Sequence, residues 1–61
     1  MIAADTITKG QTFRTKYDTL TAVENVTVDE ANELGGYKVL VTDGGEEFFH
    51  LFGLTDMVTA A

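Results

Sequence analysis

The side chains able to do chemistry in this sequence are carboxylates and a single imidazole. Asp43, Glu46 and Glu47 cluster around Gly44-Gly45, and Asp29, Glu30 and Glu33 form a second acidic group. Three carboxylates near a turn offer the oxygen ligands that Ca²⁺ takes, but the alternating Asp/Asn spacing of an EF-hand loop is absent. Two carboxylates could act as acid and base in glycoside hydrolysis. That reaction needs a cleft holding them at a defined separation, which a domain this small is not expected to build. His50 stands alone. The chain has no serine and no cysteine, so the imidazole has no usual nucleophile to activate, and one histidine without thiolates does not make a structural zinc site. Both acidic groups are expected to be solvated, and His50 to be a half-buried packing residue. No catalytic, metal or cofactor site is expected, and the protein is not expected to be an enzyme.

The charge balance narrows the partners. Ten acidic residues face four basic ones, a formal charge of −6. A negative field repels phosphate, so nucleic acid and anionic membranes are not expected partners, whereas a basic protein surface is favoured. Lys9, Arg14, Lys16 and Lys38 are too few for a basic stripe. No run approaches the roughly 20 apolar residues of a membrane helix. The opening Met1-Ile2-Ala3-Ala4-Asp5 has neither the basic nor the apolar region of a secretory signal. With no cysteine as well, a cytoplasmic location is expected, the host's cytoplasm if the protein is viral. Apolar residues make up 44% of the chain, which argues for a folded domain rather than disorder. Residues 1–61 contain no linker or repeat and read as one domain.

The elements that must position these residues read as strands. Threonine, valine and aromatics dominate, and these suit a pleated, half-buried surface. Ile7-Thr8 and then Thr12 to Tyr17 read as a first strand region bent at Lys9-Gly10. In Leu20 to Val28, Leu20, Ala22, Val26 and Val28 share one parity, and Thr19, Thr21, Asn25 and Thr27 the other. That period of two marks a strand with one buried face. Val23 and Glu24 break it, which predicts a bulge or bend there. Asp29 to Gly36 matches a capping box at Thr27 and Glu30 with Gly35 as a stop, but it is too short for a stable helix and is expected to be a loop with at most one helical turn. Tyr37 to Thr42 is a strand, Asp43-Gly44-Gly45 a hairpin signal, and Glu46 to Phe52 the returning strand. Leu54-Thr55-Asp56 reads as a turn or 3₁₀ segment before a closing strand, Met57 to Thr59.

These elements predict an all-β fold, a small five-stranded barrel. Ile7-Thr8-Lys9-Gly10-Gln11-Thr12-Phe13, the hairpin from Tyr37 to Phe49, and Leu54-Thr55-Asp56-Met57-Val58 resemble the SH3-like small β-barrel proteins of bacteria and phages. The resemblance implies the SH3-like architecture and no catalytic residue. The proline before the closing turn and the tryptophan of peptide-binding SH3 domains are absent, so binding of proline-rich peptides is not implied.

The strand 46–52 is the most informative stretch, because both its faces are apolar. Phe48, His50 and Phe52 share one parity, and Phe49 and Leu51 the other. A two-residue Gly44-Gly45 turn aligns Val41 with Phe48 and Tyr37 with Phe52. A three-residue loop pairs Val39 with Phe49 and Tyr37 with Leu51 instead. The residues leave both registers open, and a slip of one residue exchanges the faces. In either register an apolar pair lies outward beside Leu40. The leading expectation is a non-enzymatic interaction module, a bacterial or phage accessory protein that binds a protein partner or itself. Its anchors are Leu40, Phe48, Phe49, His50 and Leu51, supported by Phe13 and Tyr17, within an acidic rim. A homo-oligomer or complex subunit fits the same reading, as does a structural component of a larger particle. The alternative is an acidic inhibitor or nucleic-acid mimic that presents Asp29, Glu30, Glu33, Asp43, Glu46 and Glu47 to a basic groove.

Overall fold

The computed structural model describes all 61 residues, Met1–Ala61. Seven antiparallel strands follow one another: β1 (Ile2–Ala3), β2 (Thr12–Arg14), β3 (Thr19–Ala22), β4 (Thr27–Val28), β5 (Tyr37–Asp43), β6 (Glu46–Phe52) and β7 (Met57–Ala60). The one helical element is a 3₁₀ turn at Ala4–Thr6. The fold is all-β, as the composition predicts, but it has seven strands where five were expected. They form one curled sheet, a half-barrel, in the order β1-β7-β2-β3-β5, with β6 on the other edge of β5. No ladder joins β6 to β1 or β7, so the sheet stays open along β6. No helix is long and apolar enough to cross a membrane.

The two additional strands have different causes. β1 is a short pairing of Ile2 and Ala3 with Val58 and Met57. β4 arises because the strand expected over Leu20–Val28 breaks at Val23-Glu24, where a bend was predicted. β3 pairs Ala22 with Val41, and β4 pairs Thr27 with Lys38, on the same edge of β5. Five steps on one strand thus match three on the other. The two extra residues loop out, held by the Val23 N–H donating to the Leu40 carbonyl at 2.8 Å. The first strand is shorter than Thr12 to Tyr17. It stops at Arg14 because Thr15 folds a turn, its Oγ1 accepting from the Tyr17 and Asp18 N–H groups. Ile7-Thr8 is not a strand, although Ile7 is buried. Its carbonyl accepts from the Val26 N–H at 3.1 Å.

The core lies on the concave face. Phe13, Leu20, Ala22, Val39, Val41, Phe52 and Val58 project from alternate positions of their strands, and Ala4 and Ile7 close one side. Phe13, Ile7, Leu20, Val39 and Val41 are the largest side chains fully enclosed. The loop from Asp29 to Gly36 makes two successive tight turns and no helix, with the Asn32 N–H bonded to the Asp29 carbonyl and the Gly35 N–H to the Asn32 carbonyl.

Candidate functional site

The β5–β6 hairpin decides which apolar residues face outward. Gly44 and Gly45 both have positive φ, 65° and 101°, the geometry of a tight two-residue turn. A side chain on either residue would be strained there. The turn sets the register Val41↔Phe48, Leu40↔Phe49, Val39↔His50, Lys38↔Leu51 and Tyr37↔Phe52. The two-residue alternative therefore holds. Tyr37, Val39, Val41, Phe48, His50 and Phe52 turn to the concave side, and Lys38, Leu40, Phe49 and Leu51 to the convex side.

This placement divides the predicted anchors. Leu40, Phe49 and Leu51 come together on the convex face, with Phe49 and Leu51 58% and 61% exposed. His50 is not part of that surface. Its ring packs edge-on against Phe52 at 4.7 Å and lies 6.5 Å from Phe13, so it belongs to the margin of the core. Phe48 also points inward. It remains 41% exposed because β6 is an edge strand with nothing paired beyond it. Phe13 is fully buried and cannot support a contact surface. Tyr17 is exposed in the turn after β2, with the Lys16 ammonium 5.5 Å from its ring. Sequence reasoning missed Lys38, whose Nζ lies 5.4 Å from the centroid of the Phe49 ring. An ammonium over an exposed ring is worth about 0.5–1 kcal/mol. The signal was its parity, since Lys38 is two residues from Leu40.

The carboxylates do not form one surface. Asp29 is buried, a correction to its expected place on an acidic face. Its Oδ1 accepts from the Ala31 N–H at 3.3 Å and its backbone N–H donates to the Gly36 carbonyl at 3.0 Å, so it pins the loop. Glu30 and Glu33 stay on that loop, at the start of β5. Asp43, Glu46 and Glu47 sit at its other end, six residue steps or roughly 20 Å away. No three histidine, aspartate or glutamate side chains converge where a metal ion could be held. Asp43 and Glu46 face each other directly across the hairpin. Like charges in that position cost stability, so Glu46→Lys is expected to stabilise the fold by about 0.5 kcal/mol. Urea titration would show a higher midpoint at unchanged slope.

One groove, of about 270 Å³, lies elsewhere, lined by Met1, Arg14, Thr15, Lys16, Met57, Val58 and Thr59. Arg14 and Lys16 meet there, while Lys9 and Lys38 do not line it. Compared with known proteins, the chain matches no family model, no curated protein and no solved structure.

Proposed function

We propose that this chain is a non-enzymatic interaction module that binds protein through the convex face of the β5–β6 hairpin. The observation that carries the reading is the exposure of Phe49 and Leu51 beside Leu40, on the longest and most regular ladder of the fold. Rigid aromatic and aliphatic anchors within a polar rim are the usual anatomy of a binding surface. Here Lys38 stands at one end of the patch, and Thr42 and Glu47, paired with each other, at the other. The acidic hairpin tip favours a partner with basic groups near its own apolar patch. The succession β2-β3-β5-β6-β7, with β7 returning to pair with β2, supports the SH3-like reading of the architecture. Nucleic-acid mimicry has no comparable support, because the carboxylates are split between the two ends of β5.

Capture from a lysate of the native host, with the immobilised chain as bait, tests this reading. Phe49→Gln with Leu51→Gln is expected to abolish capture, whereas Glu30→Gln with Glu33→Gln leaves it intact. Capture should also persist at high salt, where contacts between exposed charges are screened. Capture that survives the first pair, or that disappears at moderate salt, would overturn the proposal.

A further inference from the structure

β6 is the last strand on its side of the sheet. The two-residue turn makes Asp43↔Glu46 a hydrogen-bonded pair, and antiparallel alternation makes Val41↔Phe48, Val39↔His50 and Tyr37↔Phe52 bonded pairs as well. Glu47, Phe49 and Leu51 fall between these and direct their backbone groups the other way, to the open edge. The opposite side of β5 obeys the same alternation, since the carbonyl of Leu40, the partner of Phe49, accepts from the Val23 N–H. Gly53 would be the next edge residue. Its N–H donates instead to Asp56 Oδ2 at 2.8 Å, and its carbonyl accepts from the Asp56 N–H at 3.3 Å. The open edge therefore holds six backbone groups, an N–H and a C=O on each of Glu47, Phe49 and Leu51. Natural sheets protect such edges with proline, charged side chains, bulges or a covering segment. β6 contains no proline or lysine, its charges Glu46 and Glu47 are confined to the end beside the turn, its register runs unbroken over seven pairs, and no strand lies beyond it.

We propose that this edge pairs with the same edge of a second copy of the chain, antiparallel, about a two-fold axis between the two Phe49 residues. This deepens the interaction reading above and rests on it for the role of the convex face. The register follows from which groups are free. Bonded pairs must join edge-directed residues. With Phe49 opposite Phe49, Glu47 meets Leu51 and Leu51 meets Glu47, so all six groups on each chain are satisfied. Sliding one bonding step one way sets Glu47 opposite Gly53, whose groups are already used by Asp56. Sliding the other way sets Leu51 opposite Gly45, inside the turn.

Charge agrees with this register. Lys38 lies across from Leu51 on the convex face, and Glu47 of the second copy arrives on the far side of that same Leu51, within reach of the ammonium. The two acidic hairpin tips fall at opposite ends of the joint and do not face each other. On the concave side Phe48, left partly exposed in the single chain, comes beside His50 of the second copy. The two-fold arrangement closes on itself and stops at a dimer. The patch of Leu40, Phe49 and Leu51 continues across the axis and stays open to a partner.

The chain is short enough for chemical synthesis with an N-methyl group on the backbone nitrogen of Phe49. That removes one edge-directed donor per chain and keeps every side chain. Sedimentation equilibrium of the native chain is expected to show a monomer–dimer equilibrium. N-methylation is expected to raise the dimer dissociation constant about tenfold or more, two hydrogen bonds being lost by symmetry, with an unchanged far-UV circular dichroism spectrum. Lys38→Glu should weaken the dimer, and adding Glu47→Lys should restore it. A chain that stays monomeric at every concentration, an N-methyl chain that dimerises like the native one, or a charge exchange without rescue would overturn the proposal. A dimer insensitive to N-methylation but lost in Phe49→Gln with Leu51→Gln would remove the edge pairing and leave the convex-face reading standing. Loss of lysate capture by that same variant from a monomeric chain would do likewise.

Discussion

Phe13→Ala is expected to remove a large share of the stability of this chain, half of it or more. Phe13 is fully enclosed, and its ring sits 6.1 Å from Phe52 and 6.5 Å from His50, where β2 meets the β5–β6 hairpin across the concave face. Truncating a buried phenylalanine costs about 3–5 kcal/mol, from the lost transfer energy and the cavity left behind. A domain of this length has roughly 3–9 kcal/mol in total at 0.05–0.15 kcal/mol per residue. The cavity also cannot be closed cheaply, because the surrounding side chains come from strands locked in register on three sides. Far-UV circular dichroism with urea titration reads the result directly. A midpoint within a few tenths molar of the native one would contradict full enclosure of Phe13. Phe49→Ala provides the contrast, because its ring is more than half exposed and its loss should change stability by less than about 1 kcal/mol.

Gly36→Ala is expected to destabilise the fold by about 2–3 kcal/mol, more than the same change at Gly10. Gly36 lies outside the left-handed region, whereas Gly10 has φ +87°. Around Gly10 there is open space, so alanine there meets only the left-handed strain of about 1 kcal/mol. A Cβ on Gly36 would instead be driven into the carbonyl oxygen of Phe52, with Asn32 Nδ2 at 3.0 Å on another side. The obstacle is backbone at the end of the longest ladder, fixed by the pairing Tyr37↔Phe52 and unable to swing aside as a side chain would. The Gly36 carbonyl also accepts the Asp29 N–H that holds the acidic loop, so a shift there loosens the loop as well. Thermal denaturation of the two variants side by side tests this, with Gly36→Ala losing the larger part of its melting temperature. A Gly10→Ala protein that melts lower would show that φ strain, not close approach, governs the glycines.

Much of the fold could be read from local pattern. Alternation over Tyr37–Thr42 and the glycines after Asp43 predicted the hairpin that dominates the structure. The broken alternation at Val23-Glu24 predicted the bend that divides β3 from β4. The 3₁₀ turn at Ala4–Thr6 and the pairing of Ile2 and Ala3 with β7 had no local signal. They form because the returning chain offers Val58 and Met57 as partners and the Asp56 carbonyl as an acceptor for the Ala4 N–H. The early end of the first strand was similarly hidden in the Thr15 hydroxyl, which competes with the ladder for backbone N–H groups.

The site was half legible. Leu40, Phe49 and Leu51 come together on the convex face. Phe13 lies in the core and Phe48 turns to the concave side, whereas His50 packs half-buried against Phe52, as expected of a lone histidine on a strand. Asp29 was placed on an acidic face and is buried as the tie of its own loop. For Phe13, Phe48 and Asp29 the residue type is legible in the sequence and its direction is not. A phenylalanine can pack inward or dock outward, and an aspartate can be solvated or can cap a turn. Chemistry alone does not choose between them.

By itself the sequence determined the strand-rich composition, the tight glycine hairpin and an excess of apolar side chains on strand 46–52 over what one small sheet can cover. It also determined that His50 is the single imidazole and that serine and cysteine are absent. Tertiary structure alone decided which face of that strand looks outward, that β6 has no strand on its outer edge, and that the carboxylates at issue divide between the two ends of β5. The reason is the period of the strand. Side chains alternate every residue, so a register set by turn geometry and distant pairing reverses every face when it moves by one. Whether an edge is covered depends on which strands return to it, and no local window of residues contains that information.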